Sequence, residues 1–378
     1  MRTAAAEAKY TEETLYVALE LGWSTWKLAF TVGLGQKARL RSMPAGDVKR
    51  LEEEIGRAKE RFGLRRRARV VSCYEAGRDG FWLHRYLEAC GVKSLVVDAA
   101  SIEVQRRRRR AKTDGLDAGK LVAMLVRGEE GEKRVWSVLR VPSVEEEDAR
   151  QLHRELGTLK RERTRQINRI KGLLAGQGLR VERIGADFPR WLERARLWDG
   201  SSLPAGLRFR LEGEHERLAF VQGQIQEVEA ERRRRWKESK EKGVEKARRL
   251  AQLKGIGINA SWLYGLEFFG WREFRNRKQV GSLAGLTPTP YQSGGSAREQ
   301  GISKAGNKRV RAMAIEIAWG WLRFQPRSQL SRWYEERFGG GTSRQRRIGI
   351  VALARKLLIA LWRWVDQGVL PEGAELRA

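Results

Sequence analysis

Sulfur and imidazole are scarce in this chain. Its 378 residues include two cysteines, Cys73 and Cys90, and three histidines, His84, His153 and His215. None of these falls in ligand spacing, so a disulfide framework and a zinc site are both unexpected. No apolar run approaches the roughly 18 residues of a membrane span, and the opening MRTAAAEAKYTEE has no signal-peptide core. Acid is short as well: 47 Asp and Glu stand against 76 Lys and Arg, a formal charge of +29. A chain this basic and still 41% hydrophobic is expected to fold and to bind a polyanion, nucleic acid before membrane, in a bacterial or archaeal cytoplasm close to the nucleoid.

What is present begins with short β-rich runs. Leu15–Leu21 and Trp26–Gly33 read as a hairpin across Gly22-Trp23-Ser24-Thr25, and Lys37–Ser42 can add a third strand. Asp47–Phe62 has a capped helical pattern. Ala68–Tyr74 is a buried-type strand, Phe81–Cys90 a helix, Ser94–Asp98 a strand, and a further helix runs from Asp114 to about Arg127. The order β-β-β-α-β-α-β-α is that of an RNase H-like sheet, although another α/β arrangement is compatible with it. Glu20 ends the first strand and Glu75 follows the fourth, while Asp114 and Asp117 stand one helical turn apart. If the first and fourth strands lie side by side, these acids gather. Clustered carboxylates need cations, and hard oxygen donors suit Mg²⁺ or Mn²⁺. The plainer alternative makes Asp114 a helix cap, Asp117 a first-turn acid and Glu75 a loop residue.

Arg106, Arg107, Arg108, Arg109 and Arg110 stand unbroken, with Lys112 just beyond. Five adjacent like charges repel one another and will not pack together, so the run suits a loop or helix edge lying on phosphate. From Ser143 the composition changes. Two helical stripes, Glu145–Leu174 and Leu211–Arg235, suit a coiled coil, as a dimer seam or as a hairpin within one chain. Arg232–Arg235 reads as a nucleic-acid contact or a solvated helix end. In QLKGIGINASWLYGL, Gly255 and Gly257 can form a helix-hairpin-helix turn with backbone N–H groups open to phosphate. Then comes TPTPYQSGGSAREQGISKAGNKRVR, in which Pro288 and Pro290 set an extended entry and Ser293 precedes Gly294-Gly295. Arg298, Lys304, Asn307, Lys308, Arg309 and Arg311 follow, a cationic setting for a serine that attacks a phosphodiester. Composition alone favours a solvated Ser/Gly loop over a nucleophile.

Taken together, AKTDGLDAGKLV (111–122), CYEAG (73–77), RQINRIKGLL (165–174) and AGLTPTPYQSGGSAREQGISKAGNKRVR (284–311) resemble the IS-one-ten / IS-eleven-eleven family of insertion-sequence transposases. The resemblance implies an α/β plus α protein. Residues 1–142 would form a RuvC-like (RNase H-fold) domain, 143–247 a helical coiled-coil linker and dimerisation region, and 248–378 a mainly α-helical transposase domain. It further implies a DNA recombinase with Ser293 as nucleophile, giving a phosphoserine intermediate, and Glu20, Glu75, Asp114 and Asp117 as a DEDD-type ligand set for Mg²⁺ or Mn²⁺. Donor and target DNA, a structured bridge RNA, and a homodimer that becomes a tetramer in the synaptic complex are the implied partners. The chain departs from the family at its first acid, where Asp is usual and Glu20 stands. A RuvC-like junction nuclease that leaves Ser293 idle, and a nucleic-acid scaffold disabled by Glu20, are the alternatives.

Overall fold

The computed structural model describes residues 13–98, 101–102, 114–132, 135–293 and 296–377, with the backbone alone for 114–117, 290–293 and 296–300. The basic run expected to meet phosphate, Arg106, Arg107, Arg108, Arg109, Arg110 and Lys112, lies outside the described residues. The chain divides into two compact units, Met1–Val141 and Pro142–Ala378.

The first unit is a mixed α/β layer structure. Strands β1 (Thr14–Leu21), β2 (Thr25–Thr31) and β3 (Arg39–Pro44) form an antiparallel meander, and β4 (Arg69–Glu75) and β5 (Lys93–Val97) add in parallel to β1, in the order β3-β2-β1-β4-β5. Alternation along the strands splits the side chains between two cores. Leu15, Val17, Leu19, Val70 and Tyr74 face one way. There they meet α1 (Val48–Arg61) through Leu51 and Ala58, and α2 (Trp82–Ala89) through Leu83 and Leu87. Asp47 caps α1 by accepting from the Arg50 N–H at 3.0 Å, which is why the helix starts there. Ala18, Val71 and Cys73 face the other way and pack on α3 (Asp114–Glu129) through Ala118, Leu121, Val122 and Leu125. Each such fully buried large aliphatic side chain contributes about 1.5–3 kcal/mol.

The second unit is mainly helical. The first stripe starts as a short helix, α4 (Val144–Asp148), set by a Ser143/Glu146 capping box, and continues as α5 (Gln151–Ala175) after a break at Ala149 and Arg150. After α6 (Phe188–Arg194), α7 (Ala205–Glu238) runs back along α5. Leu156 and Leu159 meet Val221 and Ile225 at one end, and Ile170 and Leu174 meet Leu211 and Leu218 at the other, so the two narrow stripes close on each other within one chain. Arg169–Glu214 and Lys160–Glu229 pairs at 3.0 and 2.9 Å flank the seam and set its register.

A larger core follows. It joins α8 (Lys242–Ala251), α9 (Ile258–Leu263), α10 (Arg277–Leu283), α11 (Lys308–Phe324), α12 (Gln329–Tyr334) and α13 (Ser343–Gln367). α9 widens into a π-helical turn at Tyr264–Phe269. Strands β6 (Pro288–Ser293) and β7 (Ser296–Ile302) form a two-stranded antiparallel hairpin between α10 and α11. Among the described residues no helix is long and apolar enough to cross a membrane.

Candidate functional site

Glu20 and Glu75 sit at one level of the first unit's sheet. β1 and β4 are parallel neighbours with Leu19 opposite Tyr74, so the next residue on each strand is the glutamate. Both belong to the alternation set of Ala18 and Cys73, the face that α3 covers. The direction of α3 follows from its last turn. Glu129 accepts from Lys93 Nζ at 2.6 Å and from Arg69 Nη2 at 3.3 Å, at the beginnings of β5 and β4. The helix therefore runs against the parallel strands, and its first turn lies at their carboxyl ends. Midway, Cys73 Sγ lies 3.8 Å from the Leu121 carbonyl. From that level Asp117 lies about 6 Å back along the helix and Glu75 about 6.6 Å up the strand. The backbone thus brings the start of α3, bearing Asp114 and Asp117, to the edge that holds Glu20 and Glu75.

Glu20 is half-buried, Glu75 exposed, and Lys27 stands opposite Glu20 on β2. Among the described side chains no three His, Cys, Asp or Glu gather to hold a metal ion; those of Asp114 and Asp117 are not among them. The same edge carries Trp23, 81% exposed in the β1–β2 turn, with the Arg78 guanidinium 4.8 Å from its ring centroid.

In the second unit Ser293 is the last residue of β6 and pairs with Ser296, so it stands at the tip of a β-hairpin rather than in an open loop. Arg298, on β7, pairs with Tyr291. The hairpin's base is strapped to the end of α10. Lys304 N–H donates to the Gly285 carbonyl at 3.1 Å, Asn307 N–H to Leu283 at 3.0 Å and Ser303 N–H to Thr287 at 2.9 Å. Two glycines permit this approach. Gly285 (φ 68°) would place a Cβ 1.9 Å from the Ala305 oxygen, and Gly306 (φ 86°) one 2.2 Å from the Leu283 oxygen. Lys304 itself has φ 56°.

The basic residues after the hairpin divide by task. Asn307 caps α11, its side chain accepting from the Arg309 and Val310 N–H groups at 3.0 and 3.2 Å. Arg311 donates to the Ala284 and Ala305 carbonyls at 3.2 and 3.4 Å and braces the strap. Lys304 and Lys308 are exposed. Further back, Gly255 (φ 83°) makes the turn between α8 and α9 and Gly257 caps α9.

Residues 247–332, which span this hairpin, match the family model described as Transposase IS116/IS110/IS902 family. Over nearly its whole length the chain is similar to y4rJ of Sinorhizobium fredii, a protein named as a putative transposase: 42% identity over 378 positions, 96% of this chain and 94% of the relative. The chain belongs to the IS116/IS110/IS902 family of insertion-sequence transposases. It is also 28% identical over 232 residues to the transposase for insertion sequence element IS1328 of Yersinia enterocolitica, covering 61% of this chain and 66% of that one. DNA breakage, rejoining and binding come with membership.

The transposase holds a second charged constellation that sequence reasoning missed. Glu267, in the π-helical turn, is 2% exposed. It accepts from Arg154 Nε at 2.6 Å and Nη2 at 2.9 Å, with Arg309 Nη1 at 3.5 Å. Burial alone would raise the Glu267 carboxyl; the Arg154 hydrogen bonds and the charges of Arg154, Arg150 and Arg309 outweigh it and hold it below the ordinary range. Arg150 is itself buried and stacks on Trp271, 5.1 Å from the ring centroid. Arg232, by composition part of a solvated basic end or a nucleic-acid contact, is 5% exposed and lies over Trp262 at 5.1 Å. Its spacing is the signal: it continues the buried series Leu211, Leu218, Val221, Ile225 of α7. Its neighbours Arg234 and Arg235 pair with Glu231 on the solvent side at 2.7 and 3.1 Å.

Proposed function

We propose that the transposase is a DNA recombinase whose nucleophile is Ser293 and whose acidic edge, Glu20, Glu75, Asp114 and Asp117 on an RNase H-like sheet, binds divalent metal. The observation that carries the reading is the run of α3 against the parallel strands, which sets the Asp114/Asp117 turn at the level of Glu20 and Glu75. A donor set made only of carboxylate oxygens fits Mg²⁺ or Mn²⁺. When bound, such an ion supplies Lewis-acid polarisation of the phosphate oxygens.

Ser293 Oγ attacks phosphorus and gives up its proton. The bond from phosphorus to the leaving sugar oxygen breaks, that oxygen is protonated, and a phosphoserine remains. Attack by the incoming strand's hydroxyl reverses the step on a new partner. The hairpin that carries the serine is strapped at its base, and the exposed Lys304 and Lys308 offer positive charge to the strand. Target choice falls to a structured bridge RNA, while the protein reads backbone and shape. The consecutive arginines Arg106 to Arg110 supply further charge for either strand. The working assembly is a homodimer that becomes a tetramer at synapsis.

The test is a denaturing gel of DNA incubated with protein and Mg²⁺. A covalent protein–DNA adduct is expected, absent in Ser293→Ala whatever the metal. Cleavage without an adduct, unaltered in Ser293→Ala, favours a metal nuclease and defeats the reading. Sequencing of copurified nucleic acid decides the RNA guide: one structured species supports it, and full activity after ribonuclease treatment overturns it.

A further inference from the structure

A cavity of about 310 Å³ opens in the second unit between α5, α9 and α11. Leu156, Leu263 and Met313 give it apolar lining, and Arg154, Arg161 and Arg309 line it with positive charge. The negative charge nearby is already committed. Glu267 serves both Arg154 and Arg309, and Glu229 pairs with Lys160 at 2.9 Å. Arg161 donates only to neutral oxygens, the Gly157 carbonyl and Thr158 Oγ1, each at 3.1 Å, and has no ion pair among the described residues.

In and behind this lining are buried polar atoms with no hydrogen-bond partner among the described residues. Arg232 gives Nη1 to Asn259 Oδ1 at 3.0 Å, and Asn259 lines the cavity. Among the described residues Nε and Nη2 of Arg232 have no hydrogen-bond partner, and neither does Nδ1 of His153, another lining residue. A guanidinium 5% exposed and short of acceptors is a costly arrangement for a chain to keep. Burial, with the field of Arg232 behind it, pulls His153 down to about 4, so the imidazole is neutral and able to accept or donate one bond. Surplus cations around an apolar lining call for an anion that carries a flat apolar body. A free inorganic anion would leave the apolar lining unused, whereas a nucleotide uses both parts: guanidinium and aliphatic groups pack on a base, and phosphate oxygens answer the donors.

We propose that this cavity receives one unpaired nucleotide of a bound strand, its base against Leu263 and Met313 and its phosphate among Arg154, Arg161 and Arg309. The proposal rests on the reading above that the transposase binds nucleic acid, and names a site for it other than the Ser293 hairpin. RNA and DNA share this chemistry.

Gly157 provides the test, because it lines the cavity and a Cβ built there meets nothing within 4 Å. Gly157→Leu puts a side chain into the space while favouring the helix. Gly172→Leu, on the same helix and equally unobstructed, is the control. Full-length protein is titrated against single-stranded DNA and RNA oligonucleotides carrying one 2-aminopurine. Gly157→Leu is expected to weaken binding about tenfold and to abolish the 2-aminopurine response, while Gly172→Leu stays within about twofold; Arg161→Ala should lower the salt slope by about 0.7. The oligonucleotide affected more strongly identifies the natural strand. Equal binding by the two glycine variants overturns the pocket and leaves the proposed function standing, and so does an effect of Arg161→Ala without one of Gly157→Leu. A wild-type protein that binds neither strand overturns both.

Discussion

Arg154 grips Glu267 with two parallel hydrogen bonds, 2.6 and 2.9 Å, across 113 residues of sequence. The pair ties the helical hairpin to the core beneath the serine hairpin, and Arg309, two residues past the cap of α11, joins it from a third direction. Buried ion pairs are expensive to half-remove, because the surviving charge stays desolvated.

Glu267→Ala should therefore cost about 2–3 kcal/mol of stability, discounted from a fully buried pair because Arg154 is partly exposed. Urea denaturation of the variant at pH 7 measures it. The same carboxyl sets a pH dependence: its folded value lies below the ordinary 4.5, so its stabilisation is complete above that value and is lost as pH falls below it. Glu267→Gln should remove that acid-side loss. A variant as stable as the wild type would mean the cluster is ornamental.

His153 gives a second, separable pH effect. Its folded value is pulled from 6.5 to about 4, so between those values the unfolded chain binds a proton that the native one refuses. Stability then falls as pH drops from 6.5 towards 4, by on the order of 3 kcal/mol in full, and levels out below. His153→Gln should flatten the fall over pH 6.5 to 5 in denaturant titrations. An occupied cavity should shrink it too, since an anion nearby favours the charged imidazole.

Gly285→Ala and Gly306→Ala each push a methyl into a backbone carbonyl and strain a positive φ. Each should cost about 2–4 kcal/mol, concentrated in the strap at 283–307. Hydrogen exchange should rise at the Lys304 and Asn307 amides, and adduct formation through Ser293 should fall by at least tenfold. Retained adduct with a loosened strap would separate serine placement from this framework.

At the acidic edge, Glu75→Gln should lower recombination by about a hundredfold or more while leaving thermal stability within about 0.5 kcal/mol, because Glu75 is exposed. Glu20→Asp retracts the carboxylate by on the order of 1.5 Å. It should keep activity within about tenfold while shifting the ratio of rates in Mg²⁺ and Mn²⁺, read in parallel assays. An unchanged ratio would remove Glu20 from the metal set.

Much of the fold is legible in the sequence because its signals are local. The β-rich runs before residue 98, the Asp47 cap and the two helical stripes follow from periodicity and capping, which act over a few residues. The serine hairpin is less so. Pro288 and Pro290 announce an extended entry, but pairing Ser293 with Ser296 depends on a return strand whose composition looks like a loop. Arg232 shows the opposite failure, a charge judged by type when its place in the α7 series puts it inside.

Sequence alone decided the family, the polyanion partner and the residue types available for chemistry, since charge and motif are properties of the string. Only the tertiary structure decided that the start of α3 lies at the level of the ends of β1 and β4, that Glu267 gathers Arg154 and Arg309, and that His153 lines unfilled space with Arg232 behind it. Those groups lie tens to hundreds of positions apart, and what joins them is packing, whose energy belongs to surfaces that exist only once the chain has closed on itself.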